Sequence, residues 1–265
     1  MVPRLAALAA LLLSVGTAAS AADVKDPLVR ARTLYNQGQF EGAISAADEA
    51  RKAPERAESA DLIAARAYLE RYRSNAEAEH LVHARERLRR IDPARFSATE
   101  RLEFLVGLGE TLYLDESTGA SAVVFASILS GPGDLAPPAR ERILDWWASA
   151  LDRDARPRPD IDRQGVYQRI RDRMADELAA NPANAAASYW AAAAARGQGD
   201  LQAAWDAAQA GWARAALAGD RASRLREDLD ALMVRAVVPE RARMLAQPPE
   251  TLLAQWDQFK QKWSR

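Results

Sequence analysis

The sequence has no cysteine, only two histidines and only four lysines among its 265 residues. Without cysteine, the chain has no disulfide framework, no thiolate zinc site, no iron–sulfur cluster and no cysteine nucleophile. It also lacks an excess of charge of one sign, since 36 basic and 37 acidic residues leave a formal net charge of −1. A general nucleic-acid binder needs a basic surface, so this balance argues against nucleic acid as a partner.

Motifs that carry common chemistry are also missing. There is no GxSxG nucleophile elbow and no GxxxxGK[ST] phosphate loop,. The histidines, His80 and His83, are three residues apart and could share a helix face, but no third metal ligand accompanies them,. We expect them to be two exposed histidines at the start of a helix. The sequence therefore predicts no catalytic residue, no metal site and no cofactor.

Alanine is the abundant residue, with 59 copies in a chain that is 49% hydrophobic. It is the strongest helix former and a poor strand former. Apolar residues recur at spacings of three and four, and Gly, Pro and Asn mark the breaks between them,. These features predict an all-α fold.

Residues 1–21 have the features of a signal peptide. Arg4 precedes a short apolar run, and Ala19-Ser20-Ala21 fits a signal-peptidase site,. The run is about 11 residues, shorter than the roughly 20 that span a bilayer, although an uncleaved anchor is the alternative. A lipoprotein would need a cysteine directly after its signal peptide to carry the lipid, and there is none here. We expect a periplasmic or secreted protein without a transmembrane segment, and the Arg-over-Lys bias favours a bacterial source.

The helices repeat in a common frame. In the first copy, small residues occupy the middle of one helix and line a second helix, with a glycine turn and an aromatic residue between them. These positions are Ala31, Gly38, Phe40, Ala43, Ala47 and Ala50. A second copy has Gly109 at the small position of its first helix and Phe125 at the large position of its second. A third runs from Asn181 through Gly199 to Trp205.

This frame resembles the tetratricopeptide (TPR) repeat, in divergent form. The resemblance implies a TPR-like α-solenoid of about five antiparallel helix pairs in residues 22–218, with capping helices in residues 219–265. An ordinary helical bundle is the alternative. Two further copies match the TPR motif less well. Residues 58–93 have a turn about four residues longer than the motif allows, and residues 139–182 have a long loop from Asp154 to Asp162.

The last predicted helix carries one continuous apolar stripe. Its members are Leu252, Trp256, Phe259 and Trp263, at spacings of four, three and four,. We expect this helix to cap the exposed end of the repeat array. The alternative is a docking helix for a partner or a helix at a lipid surface.

TPR proteins usually bind a peptide on the concave face formed by their first helices, and the resemblance implies such a face here. The residues expected to contact a partner are Arg32, Tyr35, Asn36, Arg66, Glu70, Glu110, Tyr113, Arg142, Asp145, Tyr189 and Arg196. Apolar and small residues at the same face positions include Leu28, Leu62, Val106, Leu114, Ser149 and Ala193. The set lacks the Lys/Asn clamp that some family members use for a C-terminal carboxylate.

The resemblance implies an exported, non-catalytic scaffold that binds a protein partner. The alternative is a small-molecule-binding accessory, for example in solute uptake, with an aromatic pocket near Trp146, Trp147 and Tyr189. Because Trp146 and Trp147 are about 100° apart on a helix, at least one is expected to face a groove. A third and more distant alternative is an enzyme with dispersed carboxylates.

Overall fold

The computed structural model describes residues 26–131 and 135–264, and these residues form helices without any strand. The chain divides into two compact units, residues 1–133 and 134–265. The N-terminal unit contains α1 (Pro27–Asn36), α2 (Phe40–Ala50), α3 (Ala57–Asn75), α4 (Ala78–Leu88), α5 (Ala98–Leu114) and α6 (Thr118–Leu129). The all-α prediction is confirmed for the described residues. The predicted signal peptide lies outside them.

The helices of the N-terminal unit pack as consecutive pairs. α1 packs against α2, α3 against α4, and α5 against α6. The first helices of the pairs also contact each other, α1 with α3 and α3 with α5. The buried layer between α1, α2 and α3 consists largely of alanine, as the repeat frame predicted, and includes Ala31, Ala43, Ala47 and Ala50. Small side chains let helix backbones approach closely.

Glycine places the turn in the first helix pair. Gly38, between α1 and α2, has φ +73°, a left-handed conformation that costs a residue without Cβ little,. Asp26 caps the start of α1 by accepting a hydrogen bond from the Leu28 backbone N–H at 2.9 Å,. Ser97 and Glu100 form a reciprocal capping box at the start of α5,. The boundaries of these helices therefore follow from local sequence signals.

The C-terminal unit contains α7 (Pro137–Ala155), α8 (Asp160–Ala180), α9 (Ala185–Gly197), α10 (Leu201–Arg214), α11 (Ala222–Leu232), α12 (Val238–Leu245) and α13 (Pro249–Trp263). Each of α8, α9 and α10 packs against the next helix, and α9 also contacts α7 and α11. A π-helical turn, Met233–Val237, joins α11 to α12. It precedes Pro239, which lacks an N–H and would crowd a carbonyl in a regular α-helix.

Two predicted connections are wrong. The long turn expected in residues 58–93 is instead helix, because α3 continues to Asn75 and α4 begins at Ala78. The loop expected from Asp154 to Asp162 shrinks to residues 156–159, because α7 continues to Ala155 and α8 begins at Asp160. In both places, polar and charged residues such as Ser74 and Asp154 occur equally well in a loop and in the last turn of a helix. Composition alone does not separate these two cases.

Gly109 of α5 and Phe125 of α6, the residues at the small and large positions of the second repeat copy, approach each other closely. A Cβ added at Gly109 would lie 2.7 Å from Cε1 and 2.9 Å from Cζ of Phe125, whose side chain is buried. We expect Gly109→Ala to lower the free energy of unfolding by about 1–3 kcal/mol through overpacking. The gain in helix propensity, roughly 1 kcal/mol, offsets only part of this loss.

Gly107 on the same helix is the matched control. A Cβ there would meet Leu88 Cδ2 at 3.7 Å, an ordinary van der Waals distance. Gly107→Ala should therefore leave stability unchanged or raise it slightly. Urea unfolding followed by far-UV circular dichroism measures both variants, and equal effects of the two substitutions would contradict the assigned packing.

Candidate functional site

Charged side chains from three helices of the N-terminal unit meet on one face. We call it the α1–α3–α5 face and define it by eight residues: Arg32 and Tyr35 of α1; Arg66, Glu70 and Arg73 of α3; and Glu100, Glu103 and Glu110 of α5. These are the first helices of the three pairs. Side chains separated by 35 to 68 residues in the sequence are therefore brought into contact.

Four ion pairs connect α5 to the other two helices, and the longest of them joins Arg32 Nη1 to Glu103 Oε2 at 3.9 Å. Glu100 Oε1 accepts a hydrogen bond from Arg32 Nη2 at 2.9 Å, and Ser59 Oγ donates to the same oxygen at 2.7 Å. Glu103 Oε2 lies 3.0 Å from Arg66 Nη1. Glu110 Oε2 lies 2.5 Å from Arg73 Nη2. Each of these carboxylates of α5 thus has a guanidinium partner on α1 or α3.

Glu70 has no guanidinium of its own among these pairs. Its Oε1 accepts a hydrogen bond from Arg73 Nη1 at 2.7 Å, although Arg73 also pairs with Glu110. The Tyr35 hydroxyl donates to the same oxygen at 3.5 Å, a long hydrogen bond. The Arg66 guanidinium lies over the Tyr35 ring, with its Cζ 4.5 Å from the ring centroid. Two carboxylates therefore share one guanidinium at this end of the face.

The network is largely shielded from solvent. The side chains of Arg66, Glu70, Arg73, Glu103 and Glu110 are only 12% to 14% exposed. Burial raises the pKa of Glu70, and the nearby Glu110 carboxylate raises it further against the opposing effect of Arg73,. Burial also raises the pKa of Tyr35 to about 12.

For Arg73 and Glu100, neighbouring groups outweigh the effect of burial on the pKa. Burial alone would lower the pKa of Arg73, but Glu110 and Glu70 outweigh burial and raise it. Burial alone would raise the pKa of Glu100, but hydrogen bonds from Ser59 and Ser97 and the charge of Arg32 lower it. Arg73 is therefore held charged, and Glu70 is the carboxylate whose ionisation is disfavoured,.

Five of the residues predicted to contact a partner are brought together here: Arg32, Tyr35, Arg66, Glu70 and Glu110. Asn36 follows Tyr35 as the last residue of α1 and is exposed. Tyr113 lies three residues after Glu110 on α5 and is half-buried. Leu62, expected on the same face, is fully buried in a core cluster with Leu88, Ile91 and Phe96. That expectation for Leu62 is wrong.

The other predicted contact residues lie in the C-terminal unit. Asp145 of α7 accepts a hydrogen bond from Trp190 Nε1 of α9 at 2.7 Å, and the Tyr189 ring packs edge-on against Trp190 at 5.4 Å. Arg196 of α9 pairs with Glu240 of α12 through its Nε at 3.0 Å. Arg142 is half-buried on α7. Asp145 and Arg196 thus connect helices within this unit.

Sequence reasoning missed three members of the face: Arg73, Glu100 and Glu103. A usable signal was present for two of them. Arg73 follows Arg66 by seven residues, and Glu103 precedes Glu110 by seven, so each pair lies two turns apart on one helix face,. Glu100 was hidden by its second role in the capping box at the start of α5.

The expectation of two exposed histidines is wrong for His80. Its residue exposure is 6%, and its Nε2 lies 3.1 Å from Glu77 Oε2, whereas His83 is half-buried. Both rings lie near Tyr68, with centroid distances of 6.0 and 5.0 Å. Across the described residues, no group of three or more His, Asp and Glu side chains is placed to hold a metal ion.

Six of the seven tryptophans are buried within the C-terminal unit. Trp146 and Trp147 are both buried, so the expected groove-facing member of this pair is not found. Leu252 and Trp256 of the C-terminal stripe belong to a core cluster, and Phe259 packs against it. This packing places them with the core, and only Trp263 is half-exposed. Docking through Leu252 and Trp256 would require detaching α13.

None of the helices within residues 26–131 and 135–264 is both long and apolar enough to cross a membrane. Comparison of the chain with protein-family models, with curated proteins and with solved structures found no match.

Proposed function

We propose that the protein is an exported, non-catalytic scaffold of TPR-like helical repeats that binds a segment of a protein partner on the α1–α3–α5 face. The observation that carries this proposal is the convergence of Arg, Tyr and Glu side chains from three neighbouring first helices. Tyr and Arg are the residue types most often found as energetic anchors of protein interfaces. The resemblance of the repeat frame to TPR sequences supports the same face.

Export is part of the proposal. It is supported by the signal-peptide features of residues 1–21,. A periplasmic or secreted location follows from them. The near-neutral charge supports a protein partner rather than nucleic acid,.

Buried charges at the face have an ordinary structural role too, since they hold α1, α3 and α5 together. A test of binding must therefore avoid them. Asn36 suits this purpose because it is exposed. Arg32 pairs with Glu100, but at 38% its side chain is the most exposed of the charged side chains on the face. Substitution at an exposed position away from the core usually changes stability by less than about 0.5 kcal/mol.

The test uses the full chain with a photo-crosslinking amino acid at Asn36, and with the same amino acid at the exposed Glu86 of α4 as control. We expect one protein to be captured from Asn36 and not from Glu86. That protein is then purified, and its affinity is measured for the unmodified chain, for Arg32→Glu and for Arg30→Glu. Arg30 is the matched control, because it lies on α1 but pairs with Glu49 of α2.

We expect Arg32→Glu to weaken binding about tenfold or more, on the order of 1–2 kcal/mol, and Arg30→Glu to change it little. Equal capture from both positions, or equal loss of affinity in both variants, would refute the proposal.

A further inference from the structure

We infer that the partner segment presents a basic side chain, lysine or arginine, that binds beside Glu70 and Glu110 on the α1–α3–α5 face. This inference rests on the proposed function and adds the chemistry of the partner. It follows from the balance of charge on the face, from the way its ion pairs are distributed and from the position of Glu70.

The face has one carboxylate more than it has guanidinium groups. Three guanidiniums, those of Arg32, Arg66 and Arg73, stand against four carboxylates, those of Glu70, Glu100, Glu103 and Glu110. Glu100 pairs with Arg32. Glu103 pairs with Arg66 at 3.0 Å and makes a longer contact with Arg32 at 3.9 Å. Glu70 and Glu110 are left to share Arg73. The described part of the N-terminal unit also has more acidic than basic residues, with 17 acidic and 14 basic residues in positions 26–131.

The groups around Glu70 leave it short of positive charge. Tyr35 faces it from α1, Arg66 and Arg73 from its own helix α3, and Glu110 from α5. Of the two cations, Arg66 is already paired with Glu103 and stacked on Tyr35. A carboxylate in such a place is ionised only at a cost, because burial and the second carboxylate both disfavour its charge.

A proton can neutralise Glu70, and so can a cation brought by a partner. The raised pKa of Glu70 reflects the first of these. A partner's ammonium or guanidinium group would supply the missing charge to both carboxylates and would release the proton. Its affinity should therefore rise with pH until Glu70 is fully ionised. An acidic partner group would instead add to the excess negative charge, and a neutral one would leave it unchanged.

The test uses the full chain and three blocked pentapeptides with the sequence Ser-Gly-X-Gly-Ser, in which X is arginine, citrulline or glutamate. Citrulline has nearly the shape of arginine without its charge. Each peptide is titrated to millimolar concentration at pH 5 and pH 7.5, with backbone amide NMR shifts of α3 and α5 as the readout.

We expect the arginine peptide to shift amides near Glu70 and Glu110, and to bind at least about fivefold more tightly than the citrulline peptide at pH 7.5. This preference should shrink at pH 5. Glu70→Gln should remove the preference, while Glu79→Gln, at an exposed position on α4, should keep it. Because an uncharged amide replaces a disfavoured charge, Glu70→Gln should retain the far-UV circular dichroism spectrum and the melting temperature.

Equal binding of the arginine and citrulline peptides, no shift with any peptide, or an unchanged preference in folded Glu70→Gln would overturn the inference. Its failure can be told from failure of the proposed function. If a protein is captured from Asn36 but binds Glu70→Gln with unchanged affinity, only the basic side chain is refuted. If the arginine peptide binds at Glu70 but no protein is captured at the face, the scaffold proposal fails alone.

Discussion

Trp256→Ala is expected to lower the free energy of unfolding of the C-terminal unit by about 3–5 kcal/mol, the range for removing a fully buried large aromatic side chain. The Trp256 residue is 0% exposed, and its ring packs against Trp205, Trp212 and Phe259 at centroid distances of 5.5 to 6.2 Å. Its Nε1 also donates to Asp230 Oδ1 at 2.9 Å, so the substitution leaves that carboxylate without this partner. Such a loss is a large part of an ordinary folding free energy.

Trp263→Ala on the same helix is the control, since Trp263 is 50% exposed and its removal should cost much less. All seven tryptophans lie at position 146 or later, so tryptophan fluorescence during urea unfolding reports the C-terminal unit alone,. If Trp256→Ala were as stable as Trp263→Ala, the packing of α13 into this core would contribute little to stability. A docking helix that detaches readily would then fit better.

Arg73→Met is expected to destabilise the N-terminal unit by about 3–5 kcal/mol, because it removes one partner from a buried ion cluster. Methionine retains much of the side-chain volume but leaves Glu70 and Glu110 facing each other without their shared guanidinium. Both carboxylates are only 13% exposed, so water can replace the lost partner only in part. Hydrogen exchange of peptides from α3 and α5, read by mass spectrometry, measures the loss within this unit.

Arg71→Met is the matched control two residues earlier on α3. Arg71 pairs at 3.3 Å with Glu41, whose side chain is 80% exposed, and exposed pairs contribute only about 0–1 kcal/mol,. The double variant Arg73→Met, Glu70→Gln should recover part of the stability, because it removes one of the two opposing charges. Equal protection of α3 in Arg73→Met and Arg71→Met would show that the buried cluster contributes nothing to stability.

Short-range signals in the sequence were enough for much of the fold. Gly38 and Phe40 indicated the turn between α1 and α2, and Gly109 and Phe125 were assigned to the small and large positions of one helix pair. These signals work because glycine and alanine act through local backbone geometry and small volume, which a spacing pattern displays directly. Five members of the candidate face followed from the resemblance of the repeat frame to TPR sequences.

Signals that depend on tertiary burial were missed. The polar residues that end α3 and α7 looked like loop, because polar residues occur both in loops and in the last turns of helices. His80 looked exposed because its neighbours are polar, yet packing beside Tyr68 buries it. The sharing of Arg73 by two carboxylates joins α3 to α5, and no local pattern records which side chains of separate helices will meet.

Shielding of the ion pairs on the α1–α3–α5 face has a consequence for the ionic conditions that the protein tolerates. At moderate salt, mobile ions screen the interaction between exposed charges over a distance of about 8–10 Å. They screen buried pairs much less. The 13% exposure of the Arg66 side chain, and a similar value for Glu103, should keep this pair effective in dilute and in saline media alike. An outward pair such as Arg85 with Asp115, both about 40% exposed, would weaken as salt rises. The alignment of α1, α3 and α5 would thus stay constant wherever salt fluctuates.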